Sequence, residues 1–389
     1  MTDTTWHTVP LTLDHVRGAL RLEPTERGVA PHRLPAWAVE QAADPQLTMV
    51  EAQGSGVRVA FRTAATTVEL VAHRTRVTYA GAPARPDGSI DLVVDGEVVA
   101  RKRSVGGSTT ELDMATGTPT FLPGDDFTAS FTGLAPDLKD IEVWLPHNET
   151  LELVEVRANA PVEAPTGGRR RWLHHGSSIS QGSNAARPTG IWPAVAARLA
   201  DVELTNLGFG GSALLDPFVA RTMRDLPADV ISFSLGINLV NADLMRLRAF
   251  RTGVHGFIDT IRDGHPTTPL LVLTPLHCTI HETTPGPGAF DTEALAEGRL
   301  AFRATGDPAE VPAGRLTLQT IRAELARIVA ERRRTDQHLH LLDGLALYGA
   351  DDEVAHPLRD NLHPDADTHR FVGERFAHLA FETGPLGRP

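Results

Sequence analysis

Residues 170–182 read RRWLHHGSSISQG, and the change of character inside this stretch decides the fold. An apolar run closes on two histidines and Gly176. Three serines then follow, Ser177, Ser178 and Ser180. The run reads as a buried strand, Trp172–His175, that ends in a polar turn. The same grammar repeats downstream. Candidate strands at Val202–Leu207, Val230–Leu235, Leu270–Thr274 and His338–Leu342 alternate with helical patterns. Leu244, Leu247, Phe250, Val254, Phe257 and Ile261 form one apolar stripe at helical spacing, and Leu318, Ile321, Leu325 and Ile328 form another. Such stripes are core-facing. Alternating strands and helices predict an open parallel sheet with helices on both faces.

Upstream, the chain is written differently. ANAPVEAPTGGRRR, residues 158–171, carries the proline, glycine and charge of a linker. Before it, GVRVAFRTAATTVELVAH alternates apolar and polar residues with period two, as half-buried strands do. In SIDLVVDGEVVARKR, Asp95–Gly96 between two valine-rich arms predicts a hairpin with a two-residue turn. DIEVWLPHNETLELVEVRA adds two strands, and Trp144 is expected in their core. A weak helical pattern lies near Trp37–Ala42. Many short strands imply a β-sandwich of jelly-roll type. The expected domains are therefore residues 1–165, a β-sandwich, and residues 166–389, an α/β domain.

Ligands of an open parallel sheet bind beyond the carboxyl ends of its strands. The first strand runs into Gly176–Ser180, the second into GFGGS (208–212), and the third into Gly236–Ile237–Asn238. RDNLHP, with Asp360 and His363, stands before the last helical pattern, whose start is marked by Pro364 and Asp365. A serine attacks a carbonyl when a base takes its proton. An imidazole serves as that base when a carboxylate holds its tautomer. Backbone N–H groups and an amide side chain then stabilise the oxyanion. His363 and Asp360, three residues apart, supply the base and its carboxylate, and the serines after Gly176 supply the hydroxyl. Gly211 and Asn238 sit where the oxyanion donors are wanted, and the N–H of the nucleophile itself is a third.

These segments resemble the SGNH (GDSL-type) hydrolase superfamily. GSSIS is similar to its first block, NLGFGGS to the second, GIN to the third and DNLHP to the last, in the family's order. The resemblance covers residues 170–385. It implies a flavodoxin-like three-layer α/β/α fold and an ester or acyl hydrolase needing no cofactor. It assigns Ser178 as nucleophile, Asp360 and His363 as its partners, and Gly211 and Asn238 to the oxyanion hole. The family's aspartate before the serine is Ser177 here. The preceding β-rich half also resembles two-domain carbohydrate esterases with a jelly-roll N-terminal domain.

Ser177 and Ser180 are expected to shape the loop through side-chain to backbone hydrogen bonds. Of His174 and His175, one is expected beside the nucleophile loop and the other under the sheet edge. His277 and His281, in the turn-rich PLHCTIHETTPGPG, are expected on a loop where they contact substrate, rather than on a metal. Trp192 reads as a core anchor or as part of an acyl or alcohol pocket. Gly208–Phe209–Gly210 with Ala213 fits the loose dinucleotide pattern, but it follows the second strand and Pro217 lies close behind.

The formal net charge of −12 argues against nucleic acid and anionic membrane as partners. The lone Cys278 leaves no intramolecular disulfide. The N-terminal residues lack a secretory pattern, and a cytoplasmic location is expected. The expected substrate is a small acyl ester, such as an acylated sugar or metabolite, and a homodimer is a further expectation. Two alternatives stay open: an acyltransferase using the same groups, and a non-catalytic binding protein on a degenerate scaffold.

Overall fold

The structure, a computed structural model, describes residues 5–81, 86–113 and 116–388. The chain divides into two compact units. Residues 1–36, 48–169 and 186–190 form the first; residues 37–47, 170–185 and 191–389 form the second. The main junction lies at 169/170, and segments 37–47 and 186–190 each belong to the other unit than the chain around them. The two exchanged segments are something a single boundary does not express.

The first unit is a β-sandwich. One sheet runs in the order Pro119–Leu122, Ser108–Asp113, Thr67–Ala80, Thr150–Ala158, Val29–His32, Arg21–Pro24. The other runs Val162–Glu163, Arg58–Thr63, Lys139–Trp144, Ser89–Val94, Glu97–Arg103. The period-two residues of both sheets meet in one core, where Phe61, Leu70, Leu92, Phe131, Val143 and Leu153 are buried. The Asp95–Gly96 hairpin is present, with φ of 49° and 85°, the two positive values a type I′ turn requires. Residues 186–190 join this unit through Thr189, whose N–H and hydroxyl donate to the Asp91 carboxylate at 3.3 and 2.5 Å.

The second unit holds a five-stranded, all-parallel sheet. In sequence order its strands are Arg170–Gly176, Val202–Gly208, Val230–Ser234, Leu270–Leu273 and Leu339–Leu342, and their spatial order is 2-1-3-4-5. That order is flavodoxin-like, and the chain reverses direction across the sheet beside the first strand. Alternation along this strand sets the two layers. Trp172 and His174 pack against Trp192 and Phe376, on helices Trp192–Leu199 and Ala366–Phe376. His175 points the other way, onto Phe209 and Phe257. Phe257 lies on helix Leu247–Gly264, which packs with Pro217–Asp225 and Leu318–Arg332. Leu244, placed in the stripe by its spacing, precedes this helix and is exposed; the helix starts at Leu247 because Arg246 is extended. Among the described residues no helix is long and apolar enough to cross a membrane.

Candidate active site

Burial of the first strand carries it straight into the nucleophile loop. Gly176 ends the strand and Ser178 begins a one-turn helix, Ser178–Gln181. Ser177 is its N-cap, accepting the Ile179 N–H at 3.3 Å, so the expected side-chain to backbone bond is formed. Ser180 is engaged differently, by an imidazole. The Trp172 indole N–H donates to Ser232 Oγ (2.8 Å), Ser232 meets His174 Nδ1 (2.8 Å), and His174 Nε2 meets Ser180 Oγ (2.8 Å). The indole donates, Ser232 Oγ accepts, and the His174 ring is held between the Ser232 and Ser180 hydroxyls on its two nitrogens. Burial lowers the His174 pKa to about 3, so the ring stays neutral in this chain of bonds. His175 donates from Nδ1 to the Leu207 carbonyl (2.7 Å) of the edge strand.

The C-terminal block reaches the same place. His363 Nε2 lies 3.0 Å from Ser178 Oγ, and His363 Nδ1 lies 2.8 Å from Asp360 Oδ2. The turn that joins Asp360 to His363 closes on the carboxylate itself. Asp360 Oδ1 accepts the N–H groups of Leu362 (2.9 Å) and His363 (2.7 Å). Burial pushes the Asp360 carboxyl up, but the His363 bond and charge and these amides outweigh it and hold the pKa at about 2. Two groups that the sequence did not single out complete this corner. Asn184, at φ 66°, donates Nδ2–H to Asp360 Oδ2 at 2.9 Å. Phe302 sets its ring edge-on to His363, with centroids 5.6 Å apart, and its N–H donates to the Asp360 carbonyl at 2.9 Å. No pattern in the sequence pointed to either.

The glycine block lies beside Ser178. Gly208 is required there, since a Cβ would sit 2.4 Å from the Gln181 backbone nitrogen. The Gly210 N–H donates to Gln181 Oε1 at 2.6 Å. Asn238, buried at the start of its helix, accepts the Ala213 N–H on Oδ1 at 3.1 Å, which assigns Nδ2 as the free end of the amide. Gly211 and Ser178 backbone N–H and Asn238 Nδ2 have no acceptor among the described residues. The structure thus brings Ser178, His363 and Asp360 into one hydrogen-bonded line and leaves the three expected oxyanion donors unengaged.

A largely apolar cavity adjoins Ser177 and Ile179, walled by Leu235, Ile237, Leu273 and Leu318. Trp192 lines it and is also buried among Trp172, His174 and Phe376, so its two readings coincide. His277 lines the cavity too, between the carboxylates of Glu282 (3.2 Å) and Glu353 (3.0 Å). His281 does not share that role. It is fully buried, and Nδ1 donates to the Thr284 carbonyl at 3.1 Å, bracing its own turn. The expectation that it contacts substrate is corrected accordingly. Cys278 also faces the cavity, but burial raises its thiol to about 12 and its Sγ donates to the Asn361 carbonyl, so it is no nucleophile at neutral pH. Among the described residues no cluster of three or more His, Cys, Asp or Glu is placed to hold a metal.

Comparison with known proteins agrees with this architecture. Residues 170–285 match the GDSL-like lipase/acylhydrolase family, and residues 14–153 match the N-terminal domain of SsfX3. The second unit thus carries a GDSL-like lipase/acylhydrolase match and follows a β-rich domain, as in the similar two-domain structures below. The salicylyl-acyltransferase SsfX3 from a tetracycline biosynthetic pathway is similar over 95% of this chain and 95% of its own, at 25% identity and a TM-score of 0.77. A Bacteroides ovatus protein assigned as a GDSL-like lipase shares the fold at 18% identity and a TM-score of 0.63, over 96% of both chains. So does a family two carbohydrate esterase from Clostridium thermocellum, at 14% identity and a TM-score of 0.55, over 84% of this chain and 91% of that one. No curated protein matches.

Proposed function

We propose that this protein forms an acyl-enzyme on Ser178 and releases the acyl group to water or to an alcohol. One observation carries the reading: the line from Ser178 Oγ through His363 to Asp360, at 3.0 and 2.8 Å. His363 Nε2 takes the hydroxyl proton as Oγ attacks an ester carbonyl. Asp360, held ionised by its amides, fixes the His363 tautomer and stabilises the imidazolium. The N–H groups of Ser178 and Gly211 and the Asn238 amide receive the oxyanion. Collapse expels the alcohol, which takes the proton from His363. Water or an acceptor alcohol then gives its proton to His363 and attacks the acyl-enzyme, and Ser178 is restored. These steps use only the chain's own residues. The substrate is a small acylated metabolite whose acyl group is apolar enough for the cavity beside Ser177, with His277 at its wall.

Ser178→Ala should lower turnover of p-nitrophenyl acetate by at least about a thousandfold. Wild-type turnover in that variant would refute the assignment. An alcohol acceptor is a second reading, favoured by the likeness to SsfX3 along nearly the whole chain and in the N-terminal domain. Product analysis with a competing alcohol separates the two. Ester product growing with alcohol concentration identifies a transferase, and acid alone identifies a hydrolase.

A further inference from the structure

The donor that Gly211 would offer an oxyanion belongs to the peptide unit joining Gly210 to Gly211. In a trans peptide the carbonyl and the N–H point in opposite directions. Whatever holds the Gly210 oxygen therefore aims the Gly211 N–H. That oxygen accepts the Nε2–H of Gln46 at 2.9 Å. Gln46 lies far upstream in the sequence, in the 37–47 segment that belongs to the second unit. The segment is fastened there independently. The Arg221 guanidinium lies 4.4 Å from the Trp37 ring centroid and donates to Gln41 Oε1. The other end of Gly210 is held as well, by Gln181 on its N–H. Gly211 itself is at φ 75°, where a Cβ would be strained and would stand 3.4 Å from Gln46 Nε2. The Ser212 N–H donates to the Phe209 carbonyl at 3.1 Å and closes a turn around the two glycines, but the central peptide of such a turn can flip between its two common types, and the two side chains hold it in one.

We infer that Gln46 is a positioning residue for the oxyanion hole, holding the Gly210–Gly211 peptide so that its N–H faces the carbonyl attacked by Ser178. The inference rests on the acyl-enzyme reading above. It makes the 37–47 segment a working part of the site. An oxyanion donor acts through its preorganisation, so a peptide left free to turn loses transition-state stabilisation without losing ground-state binding.

The test uses the full-length protein and two variants, Gln46→Ala and Gln46→Glu. Glutamate keeps the shape but offers no donor and repels the carbonyl oxygen, so a residue that only fills space would tolerate it. Both variants should show kcat on p-nitrophenyl acetate reduced about tenfold, with KM unchanged within about twofold. Affinity for a trifluoromethyl ketone, which forms an oxyanion on the serine, should fall by the same factor. Thermal midpoints equal to wild type exclude a folding defect at this exposed position. Wild-type kcat and ketone affinity in Gln46→Glu would overturn the inference alone. A wild-type protein that neither turns over esters nor is labelled by an organophosphonate would overturn the acyl-enzyme reading and this inference with it.

Discussion

Asn184 offers a sharp measure of how much the carboxylate corner depends on its orientation. Asp360 takes four hydrogen bonds: from His363 Nδ1, the Leu362 and His363 amides, and Asn184 Nδ2. Of these four only the Asn184 bond comes from outside the Asp360–His363 turn, and together with the Ser178–His363 bond it ties the turn to the Ser178–Asn184 stretch. A hydrogen bond to a charged group contributes about 1.5–3 kcal/mol, and the exposure of Asn184 favours the lower figure. Asn184→Ala should therefore reduce kcat roughly tenfold, since about 1.4 kcal/mol is a factor of ten. Asn184→Asp goes further. Two carboxylates about 2.9 Å apart repel by about 6 kcal/mol at an effective dielectric of about 20, and solvent at this exposed position reduces that to a few kcal/mol. The pair answers by retaining a proton, which neutralises the group that supports His363. The rising limb of the kcat–pH profile should then move up by about one unit. Asn184→Gly relieves the φ of 66° and should match alanine in kcat while melting higher. Stopped-flow kinetics across pH with an aryl ester is the assay. Wild-type kcat in Asn184→Ala, or an unshifted profile in an Asn184→Asp variant more active than alanine, would refute the reasoning.

Acid stability should follow the buried histidines. Burial lowers His174 to about 3, and His175 and His369 to about 4, from the ordinary 6.5, whereas the unfolded chain binds their protons at the ordinary value. Stability should be full above about pH 6.5 and fall as pH drops towards about 4, by up to about 1.4 kcal/mol per pH unit for each ring. Asp216 works against them: burial raises it to about 6, so its contribution is lost as pH rises. Three groups outweigh one, and a urea midpoint unchanged between about pH 7 and about pH 5 would contradict the balance. Gly208→Ala should destabilise the second unit by at least about 2 kcal/mol, because its Cβ would strike backbone rather than a flexible side chain. A melting temperature equal to wild type would show that the one-turn helix can shift freely.

What the sequence made legible was local. Period-two alternation and the Asp95–Gly96 turn are properties of a few neighbouring residues, and the hairpin they predict is present. The parallel strands were equally plain, because strands buried on both faces read as continuous apolar runs. The blocks that resemble the SGNH pattern were visible since three sit at strand ends and the fourth before the last helix, in fixed order. What stayed hidden was made by distant pairs. Gln46 and Gly210 are 164 residues apart, and Asn184 and Asp360 are 176 apart. Neither glutamine nor asparagine carries a signal that names its partner. His281 misled for a related reason: a histidine in a turn-rich stretch looks accessible, yet its ring turns inward to brace the loop carbonyl. Ser180 was read as a backbone ligand because serines often are, whereas the neighbouring strand offered a buried imidazole.

Ser177, the departure from the family pattern, acquires a physical reason once the cavity is considered. An aspartate at an N-cap and a serine there do the same local work, since either oxygen accepts the N–H of the second helical residue, Ile179 here. They differ in charge. Ser177 is buried and faces a cavity whose walls include Leu235, Ile237, Leu273 and Leu318. A carboxylate in that position would be desolvated, would find no Lys or Arg among the residues lining the cavity, and would oppose entry of an apolar acyl group. The serine keeps the cap and leaves the cavity neutral. Under the acyl-enzyme proposal the serine would tune what the cavity accepts while the helix cap is kept. Ser177→Asp should retain the Ser178–His363 geometry and hydrolyse acetyl esters, but lose selectively on longer acyl chains, with KM rising as the chain lengthens. Equal losses on every chain length would instead place the effect in the loop, and the cavity would then have no part in choosing the acyl group.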